Sequence, residues 1–301
     1  MKVIWKGVMP AVTTKFTAND TLDLKWFKHN IKAQLKAGVN GIILGGTLGE
    51  ASTLATGEKR ILIKETVNLT KNSIPVIVNI AEASTRKALE EVRMAEKTGA
   101  NGLMVLPPMR YKADARETLT YFKQISKNTQ LPIMIYNNPV DYGIEVTLEM
   151  FEELKEYQNI QAVKESTRDI TNITRMKTQF GNRFKILCGV DTLALESLLM
   201  DADGWVAGLV CAFPKETVAI YKLVTHGEIN EAKAIYKWFL PLLELDINTK
   251  LVQNIKLAEV ATGLGTEYVR PPRLPLVGAE RDKVLHIINT SLKTRPQLPN
   301  M

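Results

Sequence analysis

The sequence predicts an α/β fold, a (β/α)8 TIM barrel with additional C-terminal helices, and three observations lead to this class. Eight short apolar runs alternate with amphipathic helical segments along the 301-residue chain. Each run shows little polar alternation, which is typical of parallel strands buried on both faces. The phrases "KAGVNGIIL" and "KTGANGLMV" repeat one helix end, glycine turn and strand start. Eight βα units in succession favour a closed barrel over an open doubly wound sheet.

The predicted strands are the apolar runs, which are rich in Val, Ile and Leu. No G-x-G-x-x-G motif follows the first run, which weakens the dinucleotide-binding alternative. The runs are residues 7–14, 41–47, 75–81, 102–108, 132–139, 160–166, 184–190 and 204–210.

The segments between the runs have helical periodicity. "TLDLKWFKHNIKAQLKAG" places apolar residues at spacings of three and four, and Gly38 predicts its end. "STRKALEEVRMAEKTG" is predicted to begin at the cap residue Ser84 and to end at Gly99. After the eighth run, about ninety residues contain further helices and no clear strand. We therefore expect a barrel over residues 1–215 and a helical extension over residues 216–301 that packs on it.

The charge of the chain does not indicate a nucleic-acid partner. There are 39 Lys and Arg residues against 32 Asp and Glu, a formal net charge of +7. The basic residues are scattered beside acidic ones along helical segments, which is typical of a solvated surface. No arginine-rich tail or nucleic-acid-binding signature is present.

Cysteine and histidine usage indicates neither a disulfide framework nor a metal site. Cys188 and Cys211 lie in apolar runs without C-x-x-C spacing. His29, His226 and His286 are far apart, and none has a partner at ligand spacing. No apolar stretch has the length of a membrane span or a signal peptide. We expect a reducing, cytoplasmic compartment, no membrane partner, no bound metal and no cofactor.

In a barrel of this kind, chemistry lies at the C-terminal ends of the strands. The polar side chains at those ends give a short set of candidates. They are Thr13, Thr14, Thr47, Arg110, Tyr111, Tyr136, Asn137, Asn138, Lys164, Glu165, Ser166 and Asp191.

Lys164 is the first candidate, because it ends the apolar run "IQAVK". Desolvation lowers the pKa of a lysine, and the neutral amine can then attack a carbonyl or imine carbon to form a Schiff base. The alternative is a lysine whose stem packs along the strand end while its head reaches solvent. Tyr136 ends the preceding strand and is predicted to relay protons, the alternative being an ordinary tyrosine at the rim. These alternatives stay open on spacing alone.

The stretch "GGTLGE" (residues 45–50) follows the second run. Glycines there free backbone N–H groups to face an anion, and Thr47 can donate to a substrate carboxylate or to Tyr136. Plain turn chemistry is the alternative.

Three motifs at these separations, "GGTLGE", "IYNNP" and "KES", resemble the dihydrodipicolinate synthase/N-acetylneuraminate lyase family of Schiff-base-forming aldolases. The resemblance covers nearly the whole chain. It implies that Lys164 forms the Schiff base and that Tyr136 is the proton shuttle. It also implies that the turn of Gly46, Thr47 and Leu48 binds the carboxylate of a small 2-oxo or 2-imino acid.

The resemblance further implies that Gly189 and Val206 lie near the substrate, and it implies a homotetramer, a dimer of dimers. The sequence departs from the synthase pattern at three positions. Asp141 stands where the synthase has an arginine, and Leu48 stands where it has a residue with a hydroxyl group. Arg110 stands where the synthase has a tyrosine, and the adjacent Tyr111 can take the place of that tyrosine.

These departures indicate the substrate, because an acidic residue repels the anion aspartate semialdehyde. A long polyol also lacks its expected polar contacts at Leu48, Val190 and Trp205. The pattern, with "PPMRYK" and "IYNNPVDYG", resembles most closely the Δ1-pyrroline-4-hydroxy-2-carboxylate deaminases. Asn138, Asp141 and Arg110 are then expected at the substrate.

Three alternatives stay open. Two lie within the family: 4-hydroxy-tetrahydrodipicolinate synthase, and an aldolase or dehydratase of 2-keto-3-deoxy sugar acids. The third is a non-catalytic barrel that binds a small acid as a sensor or scaffold.

Overall fold

The computed structural model of the chain describes residues 1–108 and 111–299, and all eight predicted strands are present in it. Each strand lies inside its predicted run and is shorter than it. The strands are β1 (Gly7–Pro10), β2 (Ile42–Leu44), β3 (Val76–Ile80), β4 (Gly102–Val105), β5 (Ile133–Asn137), β6 (Ile160–Glu165), β7 (Lys185–Cys188) and β8 (Gly204–Ala207).

The strands form one parallel sheet in the order β1-β8-β7-β6-β5-β4-β3-β2. The first and last strands, β1 and β8, pair in parallel, with Gly7 opposite Gly204. Between β1 and β2 a parallel bridge joins Ala11 to Ile43, and the Val12 N–H donates to the Ile43 carbonyl at 3.0 Å. The predicted (β/α)8 barrel with helices around it is confirmed.

Helices surround the strands and continue after the last one. They are α1 (Leu24–Ala37), α2 (Thr56–Thr70), α3 (Thr85–Thr98), α4 (Ala115–Lys127), α5 (Pro139–Tyr142), α6 (Leu148–Leu154), α7 (Thr171–Phe180), α8 (Ala194–Leu199), α9 (Pro214–Thr225), α10 (Ile229–Leu243), α11 (Leu251–Ala261) and α12 (Gly278–Lys293).

The predicted helix ends have a local physical cause. Gly38 follows α1 with φ 86° and Gly99 follows α3 with φ 97°, a left-handed conformation that favours glycine. Ser84 caps α3 by accepting the Lys87 N–H.

Helix α9 packs against α1 and α8 and against β1 and β8, so it completes the ring of helices. After it, helix α12 packs against both α10 and α11. The predicted boundary between residues 215 and 216 falls inside α9, and the division of the chain into two parts stays a prediction.

Alternate residues of each strand point to opposite sides, which gives the barrel two apolar layers. One layer lies between the strands and the helices, and the other, which includes Trp5, fills the barrel interior. The interior side chains on the strands are Met9, Ile43, Ile77, Met104, Met134, Tyr136, Ala162, Leu187 and Val206. In the part of the chain that the structure describes, no helix is long and apolar enough to cross a membrane.

Gly204 provides a test of the closed barrel. A Cβ added there would lie 2.8 Å from the backbone nitrogen of Gly7 and closer still to its carbonyl oxygen. We expect Gly204→Ala to lower the free energy of unfolding by about 1–3 kcal/mol, because the β1–β8 pair must separate. Gly57→Ala is the control, because the exposed Gly57 lies in the first turn of α2 with open space around it. Equal urea midpoints for the two variants would contradict the closure.

Candidate active site

A cavity of about 490 Å³ opens at the C-terminal ends of the strands. Its wall comes from the segments after β2, β5, β6, β7 and β8 and from residues between α10 and α11. Most of the predicted site residues line it. They are Gly46, Thr47, Leu48, Tyr136, Asn138, Asp141, Lys164, Gly189 and Val206.

Strand register brings Lys164 and Tyr136 together inside the barrel. The two residues are direct partners in the β5–β6 pairing. Alternation places Lys164 on the inner side, two residues after the interior Ala162. The Lys164 Nζ lies 4.0 Å from the centroid of the Tyr136 ring. The amine therefore lies against an aromatic face, and Lys164 is 8% exposed.

Burial lowers the pKa of Lys164, because desolvation disfavours the ammonium form. Nearby Tyr142, Asp246 and Asp191 oppose this effect without reversing it. Gly189 gives the lysine its space, since a Cβ there would lie 2.6 Å from Lys164 Cε. The site thus favours a neutral, nucleophilic amine.

Tyr136 keeps its phenolic proton at neutral pH. Burial raises the pKa of Tyr136 to about 12. The Asn138 side-chain amide donates to its hydroxyl at 3.1 Å and also to the Asp141 carboxylate at 2.7 Å. A neutral phenol with a fixed hydroxyl can take and return protons beside Lys164.

Thr47 contacts Tyr142 rather than Tyr136, which corrects one of the two predicted partners of its hydroxyl. The short helix α5 starts at its cap Asn138 and ends before Gly143, which has φ 73°. This single turn carries Tyr142 over the cavity, where the Thr47 and Tyr142 hydroxyls hydrogen-bond. The Tyr142 ring packs edge-on against Tyr136 at 5.7 Å between centroids. Burial raises the pKa of Tyr142 to about 12.

The glycine turn after β2 has its carbonyls held from behind. The Asn79 amide donates to the Gly45 carbonyl at 2.9 Å, and the Thr14 hydroxyl donates to the Gly49 carbonyl at 2.6 Å. Gly45 has φ 69°, which turns the following backbone toward the cavity.

The N–H groups of Thr47 and Leu48 donate to no protein group in residues 1–108 and 111–299. The Leu48 side chain is buried in the main apolar core. This arrangement of a hydroxyl and free N–H groups can bind a carboxylate.

Several predicted residues hold the structure around the cavity and do not line it. The Asn137 amide exchanges two hydrogen bonds with the Val146 backbone and so fixes the α5 loop. Glu165 accepts from the Thr167 N–H and the Asn172 amide. The Thr13 hydroxyl donates to buried Glu259 at 2.6 Å.

Asp191 accepts from the Trp205 indole and from the N–H groups of Gly208 and Leu209. Tyr111 is 54% exposed and does not line the cavity. Arg110 lies outside the described residues.

Among the polar side chains that line the cavity, the predicted site did not include Tyr142, Arg168, Asp246, Asn248 and Thr249. Tyr142 stands in the quoted motif "IYNNPVDYG", and its distance from Pro139 by one helical turn is the signal that could have found it. Asp246 lies in the 3-10 segment Glu244–Ile247, where no sequence motif signals it. Within the described residues no group of three or more His, Cys, Asp or Glu is placed to hold a metal ion.

A family model described as the dihydrodipicolinate synthetase family matches residues 4–291. The chain belongs to that family. It is 29% identical over 290 residues to the 4-hydroxy-tetrahydrodipicolinate synthase of Exiguobacterium sibiricum, covering 95% of this chain and 97% of the relative. It is 28% identical over 293 residues to the Escherichia coli probable 2-dehydro-3-deoxy-D-pentonate aldolase YjhH, covering 95% of this chain and 97% of that one.

Among solved structures, the dihydrodipicolinate synthase of Thermotoga maritima is similar, with a TM-score of 0.89 and 29% identity. The match covers 96% of this chain and 98% of that one. The family and its relatives identify this chain as an enzyme of the Schiff-base lyase class. That finding is against the non-catalytic sensor or scaffold. The homotetramer and the cytoplasmic location stay predictions.

The lowered pKa of Lys164 gives a pH prediction. The ammonium form cannot attack, so reactivity rises as pH increases through the pKa of Lys164 and then levels off. We expect the midpoint for acetylation of Lys164 by trace acetic anhydride, read by peptide mass spectrometry, to lie below the ordinary lysine value of about 10.4. A midpoint at or above the ordinary value would contradict a desolvated amine.

Proposed function

We propose that the enzyme converts Δ1-pyrroline-4-hydroxy-2-carboxylate to 2-oxoglutarate semialdehyde and ammonia through a Schiff base on Lys164. The observation that carries the covalent step is the buried Lys164 amine, 4.0 Å from the centroid of the Tyr136 ring at the floor of the cavity. A buried lysine with a lowered pKa is suited to attack an imine carbon.

The carboxylate end of the substrate fits the turn after β2. The free N–H groups of Thr47 and Leu48, with the Thr47 hydroxyl, offer donors to one carboxylate. With the carboxylate there, C2 of the substrate lies toward Lys164.

The proposed reaction consumes one water and releases one ammonia. Lys164 attacks C2, and the ring opens when the C2–N bond breaks and the nitrogen leaves as a primary amine on C5. A proton is lost from C3, its electron pair forms the C3–C4 double bond, and the C4–O bond breaks to release water. Tyr136 is placed to move protons in these steps. Tautomerisation gives a C5 imine, and two waters hydrolyse the C5 imine and the C2 Schiff base.

The far end of the cavity favours a hydroxyl over a second carboxylate. Apart from Lys164, the basic side chain that lines the described cavity is Arg168, and it is paired with Asp141 at 3.4 Å. When pyruvate is joined to aspartate semialdehyde, the resulting molecule has a second carboxylate. Asp141 and Asp246 would repel that carboxylate. A substrate hydroxyl can instead donate a hydrogen bond to the carboxylate of either aspartate.

4-Hydroxy-tetrahydrodipicolinate synthase is the second candidate, and Arg168 is the observation that favours it. Arg168 is partly exposed and its contact with Asp141 is long, so it has donors available for another carboxylate. The name of the Exiguobacterium relative agrees with this candidate. The E. coli aldolase likewise keeps 2-keto-3-deoxy sugar acids as possible substrates.

Turnover assays on the purified chain separate these candidates. We expect ammonia release from Δ1-pyrroline-4-hydroxy-2-carboxylate with a kcat/KM at least tenfold above that for pyruvate with aspartate semialdehyde, a difference of about 1.4 kcal/mol. Lys164→Ala should abolish turnover because no Schiff base can form, and the circular dichroism spectrum of the variant checks its fold. Faster turnover of pyruvate with aspartate semialdehyde, or of a 2-keto-3-deoxy sugar acid, would overturn the proposed substrate.

A further inference from the structure

Three aspartates lie at the mouth of the barrel, and they differ in their hydrogen bonds. Asp191 accepts from the Trp205 indole and from two backbone N–H groups. Asp141 accepts from its cap Asn138 and contacts Arg168. In the described chain, no N–H or O–H group donates to the Asp246 carboxylate. Asp246 is therefore a cavity-lining carboxylate to which no group in the described residues donates.

The end of β8 leaves space for the Asp246 carboxylate. A Cβ added to Gly208 would lie 2.8 Å from Asp246 Cγ, so the missing side chain lets the carboxylate approach the backbone. The Gly208 N–H is directed to Asp191, so it does not serve Asp246. Gly208 and Asp246 both line the cavity. Because no group donates to the Asp246 carboxylate, its oxygens are available to a molecule in the cavity.

The cavity wall explains which part of a substrate would meet Asp246. The turn after β2 takes the carboxylate, and Lys164 on β6 takes the carbonyl carbon. Along β7 and β8 the wall is formed by Gly189, Val190, Val206 and Gly208, which offer space and no polar side-chain group. Carbons beyond the carbonyl have room along this wall, and Asp246 lies at its edge.

We propose that Asp246 selects the far end of the substrate, by hydrogen-bonding a hydroxyl on the carbon two bonds beyond the carbonyl and by opposing a second carboxylate there. This inference rests on the proposed function for the Schiff-base step at Lys164 and deepens it by naming the group that reads the hydroxyl. It applies to any hydroxylated 2-oxo acid, whichever family reaction follows.

The ionisation of Asp246 supports the same role. Desolvation raises the pKa of Asp246 well above its ordinary value; Asp191 and Asp141 add to the rise, and Lys164 opposes it. A hydroxyl can bond to either form of the carboxyl group. A second carboxylate can bind only when Asp246 holds a proton, so its exclusion strengthens as pH rises.

The rival role for Asp246 is a counter-ion for the Schiff base, since the two charges interact. A counter-ion would assist every 2-oxo acid equally, including pyruvate, which has no far end. Pyruvate therefore separates the two roles.

The test is borohydride trapping on the full-length chain with pyruvate, 4-hydroxy-2-oxopentanoate and 2-oxoglutarate as separate probes. The variant is Asp246→Asn, and Asp201→Asn, an exposed aspartate that does not line the cavity, is the matched control. We expect Asp246→Asn to reduce the preference for the hydroxy acid over 2-oxoglutarate about tenfold, the worth of one hydrogen bond and one repulsion. Trapping of pyruvate should not decrease, because removing the Asp246 charge takes away one contribution that raises the pKa of Lys164.

An unchanged preference in Asp246→Asn would overturn the inference. An equal loss with pyruvate would overturn it in favour of the counter-ion role. The preference of the wild-type chain should also rise from mildly acidic to mildly alkaline pH, while that of Asp246→Asn stays flat. The same rise in preference in both proteins would contradict the inference. The ionisation of Lys164 affects both substrates equally and therefore cancels from the preference ratio.

These results do not depend on ammonia release. If the wild-type chain fails to deaminate Δ1-pyrroline-4-hydroxy-2-carboxylate yet shows the preference, the proposed substrate fails while the role of Asp246 stands. If deamination occurs and Asp246→Asn leaves the preference unaffected, the proposed substrate stands while the role of Asp246 fails.

Discussion

The desolvation of one amine is the constraint on which the site depends. A buried ammonium is costly, so Lys164 can stay inside the barrel only as a group that loses its proton easily. The neighbours are arranged around that amine: the Tyr136 ring covers it, and Gly189 leaves room for its stem. Because each of these residues is placed by a strand end, the barrel itself sets the reactivity of the lysine.

The C-terminal helices stabilise the glycine turn after β2. Helix α11 supplies Lys256, which forms a buried ion pair with Glu50 at the end of the glycine turn. It also supplies Glu259, which pairs with Lys15 at 2.8 Å in the segment after β1. Breaking a buried pair leaves an uncompensated charge, so these contacts hold the turn in one conformation. The segment before α11 carries Asp246, which connects the helices to the cavity as well.

The strands, the helix ends at Gly38 and Gly99, and the Lys164–Tyr136 pair could be predicted because they depend on local pattern and on strand order. Leu48 was also placed correctly in the turn, although its side chain packs in the core. Tyr142 was missed because its one-turn helix is too short for apolar periodicity, which leaves its spacing from Pro139 as the signal. Asp246 was missed because its place depends on how a distant segment packs over Gly208, and such contacts leave no pattern in the sequence.

Covalent trapping at Lys164 tests the central claim most directly. The wild-type chain is incubated with pyruvate and borohydride, digested, and the modified residue is located by mass spectrometry. A single reduced adduct on the peptide that carries Lys164, absent in Lys164→Arg and in the reaction without borohydride, is the predicted result. An adduct on another lysine, or none in a folded wild-type chain, would contradict the account.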